Sequence, residues 1–291
     1  MYAIKTDSLT KYYGKSRGIT NISLTVSEGD FFGFIGPNGA GKSTTIRTLL
    51  GLITPTSGSA ELLGMDIMKQ RNEILQKTGY MPSEASFYRG MKVREVIRYS
   101  AALRGLDCRK EAARLLDRLE LNPDKKIREL SLGNRKKVSI ICALQHHPRL
   151  LILDEPTSGL DPLMQREFFA ILKEHNADGA AIFLSSHILS EIQRYCRHAA
   201  VIREGNILIC DEVKNLGHTR AKQITLLGVS APPAIDGIKN IESVEDGVKF
   251  LYSGDYHALL SALSSMPVTD MNMTEPDLEE IFMHYYRSGD M

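Results

Sequence analysis

Apolar residues in this chain collect into short unbroken runs, interrupted by one long stretch where they recur at helical spacing. The runs Phe31-Phe32-Gly33-Phe34-Ile35, Leu150-Leu151-Ile152-Leu153 and Ala180-Ala181-Ile182-Phe183-Leu184 predict buried strands. Thr78-Gly79-Tyr80-Met81 predicts another, ended by Pro82. Ahead of them, Tyr2-Ala3-Ile4 leading into Leu9, and the alternating Ile22-Ser23-Leu24-Thr25-Val26, predict strands joined by turns. Thr45 to Leu50 can run as a helix stopped by Gly51, and residues 67–78 as a polar helix. From about 92 to 147 the texture is helical: Val93, Val96, Ile97, Ala101 and Leu103 approximate one face, closed by Gly105. Asp107 can cap a second helix carrying Ala112, Leu115, Leu116 and Leu119, and Ser131 a third through Val138, Ile141, Ala143 and Leu144. Past about 215 the pattern resets. Gln223 to Val229 and Val244 to Tyr252, the latter with an Asp246-Gly247 turn, predict strands; Tyr256 to Met266 and Asp277 to Tyr286 predict helices.

Composition narrows the class. The 291 residues carry 36 Lys+Arg against 35 Asp+Glu, a net charge of +1, so no global field draws the chain to nucleic acid or anionic lipid. Cys108, Cys142, Cys196 and Cys210 are scattered and predict buried thiols in a reducing compartment rather than a disulfide framework or zinc site. The start, MYAIKTDSLTKYYGK, has no apolar core of signal-peptide length, and no run approaches the ~20 residues that span a bilayer. A soluble protein is expected, with any membrane role exercised through a partner.

The candidate chemistry sits at the ends of the predicted strands. Gly36, Gly41, Lys42 and Ser43 stand at the G-x-x-x-x-G-K-[ST] spacing of a P-loop, directly between a strand and a helix. Gly36, Gly39 and Gly41 let successive backbone N–H groups point into one concavity at a helix N-terminus, which suits a phosphate chain. Lys42 would then reach the β- and γ-phosphates, and the Ser43 hydroxyl would ligate Mg²⁺. Asp154-Glu155 closes the second strand: Asp154 suits Mg²⁺, and Glu155 can polarise a water against the γ-phosphate. His187 ends the third, where an imidazole can hold the γ-phosphate or the attacking water; taken by itself it reads first as a structural histidine. One ring of Tyr12-Tyr13-Gly14 could stack on an adenine or simply pack on its strand. Arg135-Lys136-Lys137 follows Ser131 at a helix start, where positive charge is disfavoured. Either an anion is brought there or the turn is merely solvated. His146-His147 reads as a capping or surface pair.

With these pieces placed, the first 215 or so residues resemble the ATP-binding subunit of ABC transporters. Gly36, Pro37, Asn38, Gly39, Ala40, Gly41, Lys42, Ser43 and Thr44 look like its Walker A, and LLILDEP (150–156) like its Walker B with Glu155 as catalytic glutamate. SGLD (158–161) resembles the aspartate loop that links subunits through Asp161, and SSH (185–187) the switch histidine, His187. Tyr13 matches the adenine-stacking aromatic. Two positions depart. The family signature LSGGQ is Leu130-Ser131-Leu132-Gly133-Asn134 here, and Ser83 stands where the family has a glutamine that senses Mg²⁺ and the attacking water. A bridging water, Glu84, or altered coupling to the membrane partner would follow from that shorter side chain.

The resemblance implies an α/β P-loop NTPase cassette over 1–215. Antiparallel strands stand at its N-terminus, an all-helical insert spans about 92–147, and a small α+β appendage covers 216–291. It implies ATP and Mg²⁺ as ligands and a homo- or heterodimer in which Ser131, Leu132, Gly133 and Asn134 of one subunit close on ATP held by the other. The partner implied is a membrane permease, with the chain at the cytoplasmic face of the membrane and no nucleic acid involved. The TEPDLEEIF ending (274–282) resembles exporter-type cassettes. The rival reading is a soluble cassette ATPase acting on ribosomes or DNA. The former usually has two cassettes per chain, and the latter needs a long heptad insertion absent from 45–150.

Overall fold

The computed structural model describes residues 1–84, 86–216 and 222–274, which fall into two compact units, Met1–Cys210 and Asp211–Met291. The first unit opens with β1 (Tyr2–Tyr13), β2 (Ser16–Ile22), β3 (Thr25–Ser27), β4 (Phe31–Ile35), α1 (Lys42–Leu49), β5 (Ser57–Leu62), β6 (Met65–Asp66), α2 (Arg71–Lys77) and β7 (Thr78–Met81). A helical insert of α3 (Val93–Ala102), α4 (Arg109–Arg118) and α5 (Leu132–Leu144) follows. The chain then returns through β8 (Leu150–Asp154), α6 (Pro162–Ala177), β9 (Ala181–Ser186), α7 (Leu189–Tyr195), β10 (His198–Arg203) and β11 (Asn206–Glu212).

Two sheets result. In one, β2, β1, β5 and β6 are neighbours and β3 also pairs with β1, all antiparallel. In the other the order is β11-β10-β4-β9-β8-β7, with β10, β4, β9, β8 and β7 mutually parallel. Every residue of β4, β8 and β9 is buried, as continuous apolar runs in a covered parallel sheet must be. Phe183 of β9 lies against Phe32 and Phe34 of β4, with ring centroids 5.7 and 5.2 Å apart. One buried cluster combines these rings with Ile4, Leu9 and Ile22 of the antiparallel sheet and Ile46 and Leu49 of α1. That packing seats α1, and the loop before it, on the C-terminal edge of β4.

In the insert, α3 and α4 pack on α5, and α5 lies against β7. Arg118 on α4 pairs with Glu167 and Glu174 of α6, which ties the insert to the nucleotide half of the unit. In the second unit, α8 (Val213–Leu216) precedes β12 (Lys222–Leu227), β13 (Ile238–Val244), β14 (Gly247–Tyr252), α9 (Tyr256–Leu263) and β15 (Asp270–Thr274). Its sheet runs β13-β14-β12-β15, antiparallel throughout, over a core of Ile224, Leu226, Val248, Phe250, Tyr252 and Leu259.

Several expectations need correction. The strand expected over 22–26 is split between β2 and β3. Asn21 turns left-handed (φ 51°), and Leu24 exchanges hydrogen bonds with Thr6 midway along β1. The alternation survives, because Ile22, Leu24 and Val26 are all buried. The strand expected over Val244 to Tyr252 straddles a hairpin: Val244 ends its first arm, β13, and β14 is the second, with Asp246 (φ 59°) in the turn between them. His146 is no surface group: burial pushes its imidazole down to about 4. Cys108 and Cys196 are buried and Cys142 half-buried, but Cys210 is exposed. The helix expected at Asp277 to Tyr286 lies outside the described residues, as does the TEPDLEEIF ending after Thr274.

Candidate functional site

The loop after β4 turns on glycine. Gly41 caps α1 at φ 109°, a conformation that a Cβ makes costly, and a Cβ would also meet Ile19 at 2.9 Å. The N-terminus of α1 therefore opens towards solvent with its first N–H groups unclaimed by any capping side chain. Lys42 folds back over this loop. It is buried, and Nζ donates to the carbonyls of Gly36 (2.5 Å) and Pro37 (3.1 Å).

Strand register brings the other groups to the same edge. Ile35 of β4 lies beside Ser186 of β9, and Ser185 beside Asp154 of β8, so the residues that follow all emerge together. Lys42 Nζ lies 3.1 Å from Glu155 Oε1, and His187 Nδ1 lies 2.5 Å from Glu155 Oε2. The Glu155 side chain is only 16 % exposed. Its backbone is left-handed, φ 50°, which is uncommon for a non-glycine residue and typical of constrained functional sites. Ser185 holds it there, accepting the Glu155 N–H on both its carbonyl and its Oγ (3.2 Å each). The same Ser185 hydroxyl donates to Asp154 Oδ1 at 2.7 Å.

Asp154 is almost wholly buried, and its Oδ2 has no hydrogen-bond partner among the described residues. An unpartnered buried carboxylate oxygen is costly unless a cation completes it, so the donor set of Asp154 and the Ser43 hydroxyl fits a hard divalent ion.

A cleft of about 320 Å³ is lined by Pro37, Asn38, Gly39, Gly41, Lys42, Ser43, Thr44, Ser83 and Glu155; Asp154 and His187 lie behind Ser185 and Glu155 without lining it. Tyr13 stands at its wall with a half-exposed ring; Tyr12 does not line it. Ser83 reaches the cleft, whereas Glu84 does not.

The signature residues lie elsewhere. Ser131 caps α5, its Oγ accepting from Asn134 N at 3.3 Å, and Leu132 is 63 % exposed. A Cβ on Gly133 would sit 2.8 Å from the Gly159 carbonyl, so glycine is what lets this turn touch the 158–161 loop. Asp161 spends its carboxylate on capping α6 through Leu163 N and Met164 N. None of Ser131, Leu132, Gly133 and Asn134 lines the P-loop cleft. Leu132 instead lines a second cleft of about 500 Å³ with Ser83, Glu84, Arg135, Lys136 and Ser158.

Sequence reasoning missed Arg17 and Gly18, which join the first cleft from β2 with no motif to mark them. It also missed the bracing role of Ser185 and the destination of Lys136. That lysine is buried, not solvated, and donates to the Ser83 carbonyl at 2.7 Å.

Residues 19–158 match the model of the ABC transporter family. The bacitracin transport ATP-binding protein BcrA of Bacillus licheniformis is 35% identical over 98% of both chains. The linearmycin resistance ATP-binding protein LnrL of Bacillus subtilis is 30% identical over 97% of both. Among solved structures, an ATP-binding subunit of an ABC transporter superposes with a TM-score of 0.69 at 30% identity, over 74% of this chain and 91% of that one. Among the described residues no helix is long and apolar enough to cross a membrane.

Proposed function

This chain belongs to the ABC transporter family, as an ATP-hydrolysing subunit, and from that premise we propose that its two clefts work in pairs across a dimer to drive a membrane permease. The observation that carries the reading is the convergence of Lys42, Glu155 and His187 beside an open helix N-terminus. The loop from Gly36 to Thr44, with Ala40 buried beneath it, cradles the phosphates with its N–H groups, and Lys42 takes the β- and γ-oxygens. Tyr13 stacks on the adenine. Glu155 accepts the proton of the water that attacks the γ-phosphorus as the bond to ADP breaks; His187 holds the carboxylate in place. Ser43 and Asp154 would hold Mg²⁺, which when bound neutralises charge building on the phosphate oxygens.

Among the described residues the cleft is open on its outer side, while Ser131, Leu132, Gly133 and Asn134 stand at an exposed helix start with no acidic residue in its first turn. A second subunit, identical or related, would bring that start over the first subunit's ATP, with Asp161 at the seam. These roles are assigned to a cassette of residues 1–215 with its helical insert at about 92–147; the appendage, 216–291, carries no motif tied to the chemistry. Tyr99 and Leu103, four apart on the insert, are 52 % and 65 % exposed, and exposed apolar residues sharing a helix face suit a protein partner. That partner is a permease, which places the chain at the cytoplasmic face of the membrane. Two full-length relatives named for antibiotic transport or resistance support an antibiotic as the cargo.

Co-expression with the candidate permease tests the assignment. The wild-type chain should co-purify from membranes, and in proteoliposomes bacitracin should stimulate its ATP turnover. Leu103→Asp should cut co-purification about tenfold, the loss typical of one good interface anchor, with basal ATPase unchanged. Equal recovery of both chains would remove that face from the interface.

A further inference from the structure

We propose that Lys136 is a positioning residue for hydrolysis, linking the signature helix to the loop at Ser83 and setting a fixed positive charge behind the carboxylate pair. The inference rests on the ATPase reading above and extends it to a residue no motif assigns. Ser83 lines both the P-loop cleft and the second cleft beside the signature turn, so it forms part of the wall between them. Lys136, on α5 five residues after Ser131, lines only the second cleft and grips Ser83 from that side, Nζ to carbonyl at 2.7 Å.

The cation's surroundings explain why it stays. Lys136 is 4 % exposed, and its hydrogen bond to the Ser83 carbonyl uses one of the ammonium's three donors. Burying a cation so thoroughly is costly, and the start of α5, with no acidic residue in its first turn, adds to the cost. Burial accordingly pulls its pKa down, while Asp154, Glu155 and Glu84 oppose that shift with their negative charge. The carbonyl of the wall therefore holds the ammonium, and the negative charge of the hydrolytic carboxylates favours its charged form. A shift of α5, the helix that carries the signature, reaches Ser83 through this side chain.

Ser83 is too short to span from loop to reacting water, and Glu84 does not enter the nucleotide cleft. Lys136 gives the loop a fixed position despite that short side chain. Lys42 remains the contact to ATP itself, so substrate binding should be insensitive to Lys136.

Steady-state ATP hydrolysis by the full-length chain tests this. Lys136→Met, similar in length but without charge or donor, should lower kcat about tenfold or more while KM for ATP stays within about twofold, the split expected when only transition-state positioning is lost. Lys136→Arg should recover much of the loss. Adding Ser83→Gln to Lys136→Met, which gives the loop its own longer side chain, should bring kcat to within about threefold of wild type. Wild-type kcat in Lys136→Met, a KM that rises in step with the fall in kcat, or no recovery with Ser83→Gln each overturns the proposal. If Lys136→Met does not melt cooperatively, Lys136→Gln replaces it. That variant keeps a donor to Ser83, so a fall of about threefold at constant KM supports the role of the charge, and wild-type kcat refutes it. Failure of the underlying reading looks different: the wild-type chain itself would then not hydrolyse ATP.

Discussion

Glu155→Gln should all but stop ATP turnover while leaving the nucleotide more tightly bound. The carboxylate sits between Lys42 and His187, 3.1 and 2.5 Å away, on a backbone whose left-handed turn aims it and which Ser185 braces. Glutamine has the same shape and occupies the same place. It cannot accept a proton from water, and loss of a positioned general base costs about 10²–10⁴ in rate. The affinity change has the opposite sign for a simple reason. Oε1 holds the ammonium that the γ-phosphate must claim, and a carboxylate beside a polyanion repels it. Removing the charge frees Lys42 and ends the repulsion. Phosphate release measured beside equilibrium ATP binding separates the two effects, and size-exclusion chromatography with ATP should show the variant retained as a dimer. Turnover at the wild-type rate would strip Glu155 of its role.

Lys42→Ala should abolish tight nucleotide binding. Its ammonium is pre-positioned by the carbonyls of Gly36 and Pro37 rather than searching for the phosphate from solution, so little side-chain entropy is lost on contact. A hydrogen bond to a charged group is worth about 1.5–3 kcal/mol, or roughly 10- to 100-fold in affinity. The deletion also takes from Glu155, only 16 % exposed, the cation 3.1 Å away, so its charge opposes the incoming triphosphate more strongly. The two substitutions are therefore coupled: the gain in ATP affinity from Glu155→Gln should differ between the wild-type and the Lys42→Ala backgrounds, a non-additivity that a double-mutant cycle reads directly. Unchanged ATP affinity in Lys42→Ala would contradict the P-loop assignment, and strict additivity would break the link between the two side chains.

Local chemistry made much of this legible. A tight glycine turn between a buried strand and a helix has few sequence solutions, so Gly36 to Thr44 declares itself. Ser131 and Asp161 cap their helices because short polar side chains satisfy N–H groups within the next three residues, a requirement independent of the rest of the fold. The apolar runs of β4, β8 and β9 could be read because both faces are buried whatever their neighbours are. By contrast, α7, β10 and β15 left little signal. β10, reading HAAVIR, earns its place by pairing with β4 rather than by its own periodicity.

What only the tertiary structure decided is which strand ends meet and where the long charged side chains go. Nothing near residue 154 specifies that β9 separates β8 from β4, yet that order sets Glu155 3.1 Å from Lys42 and lets Ser185 bend its backbone. Nothing near residue 136 specifies that its ammonium points inward to Ser83 instead of outward to water. Turns and caps are settled by bonds a few residues long, whereas strand order and the partners of a buried charge are settled by groups dozens of residues away, whose energies exist only once the chain has closed around them.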